Sequence, residues 1–507
     1  MSTVLDFEQL RATGQRSLVT KHQTYTLRLR ELFDLRNPRT GDLLQQYNAT
    51  TAVIRQLIGR AVAERVRMRA LGGNWSFSRV ANTDGWLVNT KPMNLDFRIL
   101  ATLVHPAYTG DRAGLRFCQG GCEIVELNQR LLRDGRSLRT TGASNGQTIA
   151  GALATGTHGS AIAVGAIPEY VVGLHLVVGP DRHVYLERAS RPAAADAFAA
   201  RLGAELVRDD ALFDAALVSF GSFGVVHGVM IETDPLFVLD FKRQRRTLDD
   251  GLRRAIETLD FSRAGLPRGA EAPYHFQVVL NPFDSQRGAY VATAYRGPVP
   301  PGFTPPPPQP NGVGPGDDLL SFVGQLSDAV PQVISLVAGQ LLGRAYRDLA
   351  VRGTLGDIFT ATRTEGKATA TSFGVPLDRA GEVREIVSDL NRREGPFAVL
   401  QSYRYVRATR ATLGFTRFGP TCCVFELDGG ASRRTAEYFR RVWQVFRERG
   451  IPHTFHWGKE FPQDPGSIRA AYGGAVDRWI AARERLLAPE VRRVFSNDLL
   501  ENIGLAT

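Results

Sequence analysis

Cysteine is scarce, with four residues in a chain of 507. Four thiols cannot staple a secreted fold of this size, so a reducing compartment, the cytoplasm, is expected. No stretch approaches the roughly 18 consecutive apolar residues that a membrane-spanning helix needs. The most apolar segment, residues 330–342 (VPQVISLVAGQLL), contains Pro331 and two glutamines. It reads as a buried helix or part of an apolar substrate entrance, with a peripheral membrane contact as the alternative. The opening residues carry acids early and hold no apolar core of secretory-signal length. Nowhere does G-x-G-x-x-G follow a strand and open a helix, and no G-x-x-x-x-G-K-[ST] occurs, which counts against nicotinamide-first and P-loop readings.

Basic residues exceed acidic ones, 62 against 51, for a formal charge of +11. Apart from doublets such as Arg433-Arg434 and Arg440-Arg441, the arginines are interspersed with acids. A nucleic-acid binder concentrates charge into a stripe with stacking aromatics, and none is readable, so no nucleic-acid partner is expected. The surplus suits an anionic cofactor equally well. Hydrophobic residues at 43% and charged residues at 22% are ordinary for a globular protein and exclude a disordered or collagen-like chain.

The clearest linker is residues 299–316 (VPPGFTPPPPQPNGVGPG), whose prolines favour extended polyproline II. Strand-like sequence on both sides makes it an insertion within a domain. Before it, short β-type runs alternate with glycine-rich turns: RMRALGG, GWLVNT, GLRFCQG, VVGLHLVVG, HVYLER and GVVHGVMIET. Helical spacing predicts helices over 123–134 and 211–217. After the insertion, strands (ATATSFGVPL, AVLQSYRYVRA, TCCVFELDG) interleave with predicted helices over 380–392 and 432–449. The second half is thus sheet with helices on one face, an α+β pattern.

Two Gly/Ser/Thr clusters stand far apart: Leu71-Gly72-Gly73-Asn74-Trp75-Ser76-Phe77-Ser78, and residues 142–151 (GASNGQTIAG) running on as ALATGTHGS. Glycines let backbone N–H groups approach a phosphate closely, and hydroxyls donate beside them. Either cluster alone reads as a tight turn. Together, and followed by SFGSFGVVHGV at 219–229, they point to a bound anion. The Cys118/Cys122 spacing is poor for a metal and reads as structural, and no metal is expected.

The order GGNWSFS, GQTIAGALATGTHGS, SFGSFGVVHGV and HWGK resembles the vanillyl-alcohol-oxidase superfamily of flavoproteins. Within it the chain most resembles the aldonolactone and alditol oxidases, and also the flavin-type sterol oxidases. The resemblance implies a two-subdomain PCMH-type FAD-binding domain over 1–235, a cap domain over 236–450 with an antiparallel sheet flanked by helices, and a segment 451–507 returning to the FAD domain. It places Gly72, Gly73, Asn74, Trp75 and Ser76 at the FAD pyrophosphate. Gly142, Ala143, Thr148, Gly151, Thr155, Gly156, Thr157, His158, Gly159, Ser160 and Val225 would line the rest of the site. Many relatives carry G-x-G-H-S in the first loop, with the histidine bonded to the flavin. Trp75 stands there instead, which implies non-covalent FAD. Gly142 matches a position that gates oxygen, where glycine resembles the oxidases; it also reads as a turn glycine needing positive φ.

Lys459, in HWGK, matches a lysine close to flavin and substrate, with His456 beside it. A cation there would stabilise negative charge developing on the reduced ring. The family places an arginine two residues after a glutamate on a cap strand; Arg404 matches the arginine, and Ser402 stands in place of the glutamate. Strand alternation puts Ser402 and Arg404 on one face and Gln401, Tyr403 and Tyr405 on the other. Glu426 is a candidate partner for Arg404. A histidine of the family's next strand aligns near Phe425, and Phe425 with Tyr403 suggests a bulkier, less polar small-molecule substrate. The expectation is an FAD-dependent oxidase that oxidises an alcohol or lactone and reduces oxygen to hydrogen peroxide, with Lys459, Arg404, His456, Tyr403 and Glu426 as its catalytic set. The alternatives are a dehydrogenase using a quinone or protein acceptor, and a flavin-binding protein without turnover. The oligomeric state stays open.

Overall fold

The apolar runs before the insertion all form strands: Met68–Leu71, Trp86–Asn89, Leu115–Gln119, Val171–Val177, His183–Glu187 and Val225–Glu232. The computed structural model describes residues 8–284, 286–306, 348–360 and 367–506. These strands divide between two sheets. A four-stranded sheet has the order Leu10–Ala12, Glu31–Leu35, Trp86–Asn89, Met68–Leu71. A six-stranded sheet runs from Glu205–Arg208 through His183–Glu187, Val171–Val177, Val225–Glu232 and Leu115–Gln119 to Asp96–Arg98.

The 21-residue helix Leu43–Ala63 joins them. Its start is fixed by a capping box: the Gln45 N–H donates to the Asp42 carboxylate at 2.9 Å and the Asp42 N–H to Gln45 Oε1 at 3.0 Å. Val53, Ile54, Leu57, Ile58 and Ala61 recur at helical spacing and share one buried apolar cluster with Met68 and Val88 of the smaller sheet and Leu174 and Leu176 of the larger. Burying each large side chain stabilises the packing by roughly 1.5–3 kcal/mol. The result is the two-subdomain architecture expected of a PCMH-type FAD domain.

Past Pro235 the chain enters an eight-stranded sheet. Its order is Leu349–Gly353, Phe237–Arg246, Ala289–Pro298, His275–Leu280, Val399–Arg407, Thr421–Gly430, Ala368–Pro376, Thr454–Phe455, and every neighbouring pair is antiparallel. Helices Asp250–Thr258, Ala380–Glu394 and Arg433–Glu448 cover one face, where the Tyr405 hydroxyl donates to Ile256 O (2.6 Å) and the Tyr438 hydroxyl to Val387 O (2.9 Å). The other face carries Gln277, Ser372, Ser402, Arg404, Glu426 and Asp428, and looks towards the FAD domain.

Residues 451–507 serve both bodies. Thr454–Phe455 completes the cap sheet, while the helix Ala475–Leu486 goes back to the FAD domain, its Trp479 indole N–H donating to Val218 O (3.0 Å) and its Arg483 to Ser222 O (3.1 Å). Residues 299–306 carry no regular secondary structure beyond a turn; the remainder of the 299–316 insertion and the apolar segment 330–342 lie outside the described residues. No helix among the described residues is long and apolar enough to cross a membrane.

Candidate active site

The two glycine clusters meet. A Cβ on Gly72 would fall 2.2 Å from Thr148 Oγ1, and one on Gly73 2.3 Å from Gly146 O, so only glycine permits this approach. Thr148 caps the short helix Ile149–Ala154, its hydroxyl accepting the Gly151 N–H at 3.2 Å. Asn74 adopts positive φ (59°), and its amide donates to Val19 O of an N-terminal hairpin. The Trp75 ring lies beneath the Lys21 ammonium, 4.2 Å from its centroid, and Ser76 is partly buried nearby. The first loop is also stitched to the HWGK turn: the Phe77 N–H donates to Gly458 O (2.9 Å) and the Ser78 hydroxyl to Trp457 O.

The second cluster folds back on itself. The Thr155 hydroxyl donates to Gly151 O (3.1 Å), the Thr157 N–H to Ala152 O (2.8 Å), and Gly156 takes φ +73°. Gly159 packs on Thr140, whose Oγ1 would be 2.3 Å from an added Cβ. Ser160 spends its hydroxyl on the cap, donating to Phe276 O and accepting the Tyr405 N–H (3.1 Å). The Asn145 amide donates to Phe359 O beyond the sheet's other edge. Gly142 and Ala143 open this segment. Gly142 does not have positive φ, contrary to the turn-glycine reading, and its Cβ would meet Thr157 Cγ2 at 3.1 Å. Val225 sits apart, in an apolar space with Leu35, Ile54, Leu57, Met68, Ala70 and Val88.

Facing these loops, Glu426 lies between two cations: Arg404 at 3.5 Å and Lys459 at 3.4 Å, with the Glu426 side chain only 2% exposed. Ladder register explains the arrangement, because Glu426 is the direct cross-strand partner of Ser402. The carboxylate missing at 402 is supplied by its neighbour. Burial opposes ionisation of Glu426, but Lys459 and Arg404 outweigh it and hold the carboxyl well below its ordinary range. His158 and His456 flank the centre with ring centroids 5.5 Å apart, and Phe415 packs on both. Burial first and nearby cations second lower His158 to about 4; burial first, then coupling to the neighbouring His158 and Lys459, lowers His456 well below its usual value. Burial favours the neutral imidazoles and the hydrogen bonds set their tautomers: His456 Nδ1 accepts the Gly458 N–H (3.0 Å), and His158 Nδ1 donates to Gly159 O (2.9 Å).

Two expectations move. Tyr403 and Phe425 are fully buried on the helix side of the sheet, their rings 5.2 Å apart, and the Tyr403 hydroxyl donates to Gln401. Period-two alternation, which brings Arg404 and Glu426 to the cleft, sends both aromatics away from it. The structure adds residues that sequence reasoning passed over: Ser372, Gln277 (its amide 3.2 Å from Ser402 Oγ), Phe415 and Asp428. The strand alternation that singled out Ser402 and Arg404 would have found Asp428 beside Glu426.

Residues 47–184 match the family model described as FAD binding domain, and residues 278–503 that described as D-arabinono-1,4-lactone oxidase. The chain is an FAD-linked oxidoreductase that resembles the vanillyl-alcohol-oxidase superfamily. An L-gulono-1,4-lactone dehydrogenase of Mycobacterium tuberculosis is 26% identical over 469 residues, covering 90% of this chain and 97% of the relative. A putative D-arabinono-1,4-lactone oxidase of Neurospora crassa is 28% identical over 186 residues, 37% of this chain and 28% of the relative. The crystal structure of cholesterol oxidase from B. sterolicum superposes with a TM-score of 0.69 over 99% of both chains at 14% identity, a likeness of fold.

The loops of this flavoprotein fit FAD on their own chemistry. Trp75 Nε1, Asn145 Oδ1 and Gln147 Oε1 are buried without a hydrogen-bond partner among the described residues. Such orphaned donors and acceptors, set where two glycine loops leave no room for side chains, are what a bound dinucleotide would satisfy. Gly72 to Ser76 and residues 142–151 would hold it, with His158 and Lys459 at the end nearer the cap.

Proposed function

We propose that this flavoenzyme oxidises a hydroxyl group of a small polar substrate, an aldonolactone or related polyol, with oxygen as the final acceptor. The observation that carries this reading is the Arg404–Glu426–Lys459 centre on the polar face of the cap, beside Ser372, Ser402 and Gln277. These groups suit a hydroxylated ligand, and the apolar preference drawn from Phe425 and Tyr403 loses its basis. Residues 1–235 with 451–507 would hold the cofactor and 236–450 the substrate. When bound, FAD supplies the two-electron acceptor for a C–H bond next to a hydroxyl. Arg404 and Lys459 keep positive charge in the cleft, Glu426 balances it, and the neutral imidazoles of His158 and His456 exclude water without competing for protons. Trp75 offers no nucleophilic nitrogen, so FAD is held non-covalently. Four buried unpaired thiols suit a reducing cytoplasm.

The second reading, electron transfer to a quinone or protein, is favoured by the Mycobacterium tuberculosis relative, a dehydrogenase matched over 97% of its length. Gly142 supports oxygen. Peroxide formed per L-gulono-1,4-lactone consumed in air decides: near-stoichiometric peroxide supports the oxidase, and turnover only with an added dye supports the dehydrogenase. Failure of lactones and polyols alike to bleach the flavin anaerobically would remove both.

A further inference from the structure

Two residues beyond Glu426 on the same strand stands Asp428, which the centre described above leaves unused. Strand periodicity puts both carboxyl groups on the cleft face. The register separates their surroundings. Arg404 stands opposite Val424, Glu426 lies between Ser402 and Ser372, and Asp428 lies between Leu400 and Ala370. Charge along this face therefore runs cation, enclosed carboxylate, second carboxyl. Glu426 holds both ion pairs, whereas Asp428 makes none among the described residues. Glu426 is sealed, while Asp428 is only partly buried.

Two carboxyl groups this close do not both ionise readily, and they titrate as a pair. The first charge belongs to Glu426, stabilised by Lys459 and Arg404. Burial and then the Glu426 charge push Asp428 up to about 8, against the smaller pull of Lys459 and Arg404. His158 and His456 face the pair from beyond Glu426 and stay neutral. Glu460, on the Lys459 turn, is raised to about 7 by burial and is opposed by Arg79.

We propose that Asp428 is the proton acceptor of the reaction, with Glu426 serving as the fixed counter-ion of Arg404 and Lys459. This rests on the hydroxyl-oxidation reading above. The substrate O–H bond breaks and its proton bonds to an Asp428 oxygen. With FAD held by the glycine loops, the hydrogen of the adjacent C–H bond would leave with both its electrons to that acceptor, and a carbonyl would remain. Between turnovers the proton returns to solvent through the exposed side of Asp428.

The test is anaerobic single-turnover bleaching of the FAD holoenzyme by L-gulono-1,4-lactone as a function of pH, with infrared titration of the substrate-free holoenzyme. Wild type should reduce about tenfold faster per pH unit until about pH 8 and then level off, and a protonated-carboxyl band should vanish through the same range. Asp428→Asn, isosteric with the neutral acid, should lose the band, flatten the profile and lower the plateau by about 10²–10⁴-fold. Asp428→Glu should keep the limb at a shifted midpoint, and Glu460→Gln should leave the limb and the band component lost near pH 8 as in wild type, removing only a component lost near pH 7. A limb, or a band component lost near pH 8, that persists in Asp428→Asn or disappears in Glu460→Gln overturns the proposal. If the lactone fails to bleach wild type, the substrate reading falls, and the infrared band in Asp428→Asn still supports or overturns the placement of the proton.

Discussion

Replacing Glu426 with glutamine preserves shape and removes the one negative charge between two cations. At an effective dielectric near 20, each contact at about 3.5 Å is worth roughly 5 kcal/mol of Coulomb energy. Desolvation of the enclosed carboxylate, several kcal/mol, offsets much of this in the intact protein. In the variant the offset disappears, but Arg404 and Lys459 are left facing each other. Breaking a buried pair costs roughly 3–5 kcal/mol. The Arg404 and Lys459 side chains retain 14% and 20% exposure, so water relieves part of the repulsion. The expected loss is about 3 kcal/mol, at the lower end of that range. Equilibrium urea unfolding of the holoenzyme should show a lower midpoint with an unchanged slope. Glu426 also raises the His158 value against burial, so the variant should titrate His158 still further below about 4 by NMR. A loss below about 1 kcal/mol, the range of exposed pairs, together with an unmoved His158 would refute the enclosed triad.

Three further outcomes follow from the geometry. In the FAD domain, Leu95 N–H and Asn37 donate to Gln119 Oε1, so the Gln119 amide nitrogen faces His227 Nε2 (3.0 Å) and that nitrogen must accept. Burial lowers His227 to about 3, so only the unfolded chain takes up its proton as pH falls below about 6.5. Stability should therefore drop by up to about 1.4 kcal/mol per pH unit from this residue between pH 6.5 and about 3, a slope that His227→Gln should reduce in urea titrations. Gly142→Ala needs Thr157 to yield only a few tenths of an ångström and no change of backbone region, so the fold should survive while oxygen turnover falls more than dye-linked turnover; equal losses in stopped-flow assays would count against gating. Acid precipitation should leave the yellow colour in the supernatant, since Trp75 forms no flavin bond; a coloured pellet would sink that expectation.

Much of this was legible beforehand, for identifiable reasons. Strands such as Val171–Val177 and Val225–Glu232 are rich in valine and other apolar residues, and helices Ile124–Arg133 and Arg433–Glu448 show clean 3.6-residue periodicity with a glycine two residues past the end. The helix Leu43–Ala63 is hard to read in the sequence because its buried face mixes Tyr47, Thr50 and Thr51 with aliphatics, although Asp42 and Gln45 announce its start. The glycine loops were readable as anion seats because their chemistry is local. The charge centre was only half readable. Alternation assigned Arg404 its face, but which residue lies opposite Ser402 depends on pairing register across separate strands, and sliding that register by one residue exchanges Phe425 for Glu426.

Among the cap's many contacts with the cofactor domain, three are spread across its width. Ser78 and Phe77 hold the turn after the last strand, Ser160 holds the middle strands, and Asn145 holds Phe359 just past the first. Seven spacings of about 4.8 Å separate the outer two of the eight strands by roughly 34 Å. A body fastened at both ends and the centre has lost its rocking freedom: tilting either edge outward tears the bonds at that edge. Wholesale swinging of the cap is therefore a poor route for exchanging ligands. Traffic must pass through something smaller than a domain, and the charged constellation stays registered to the glycine loops while it does.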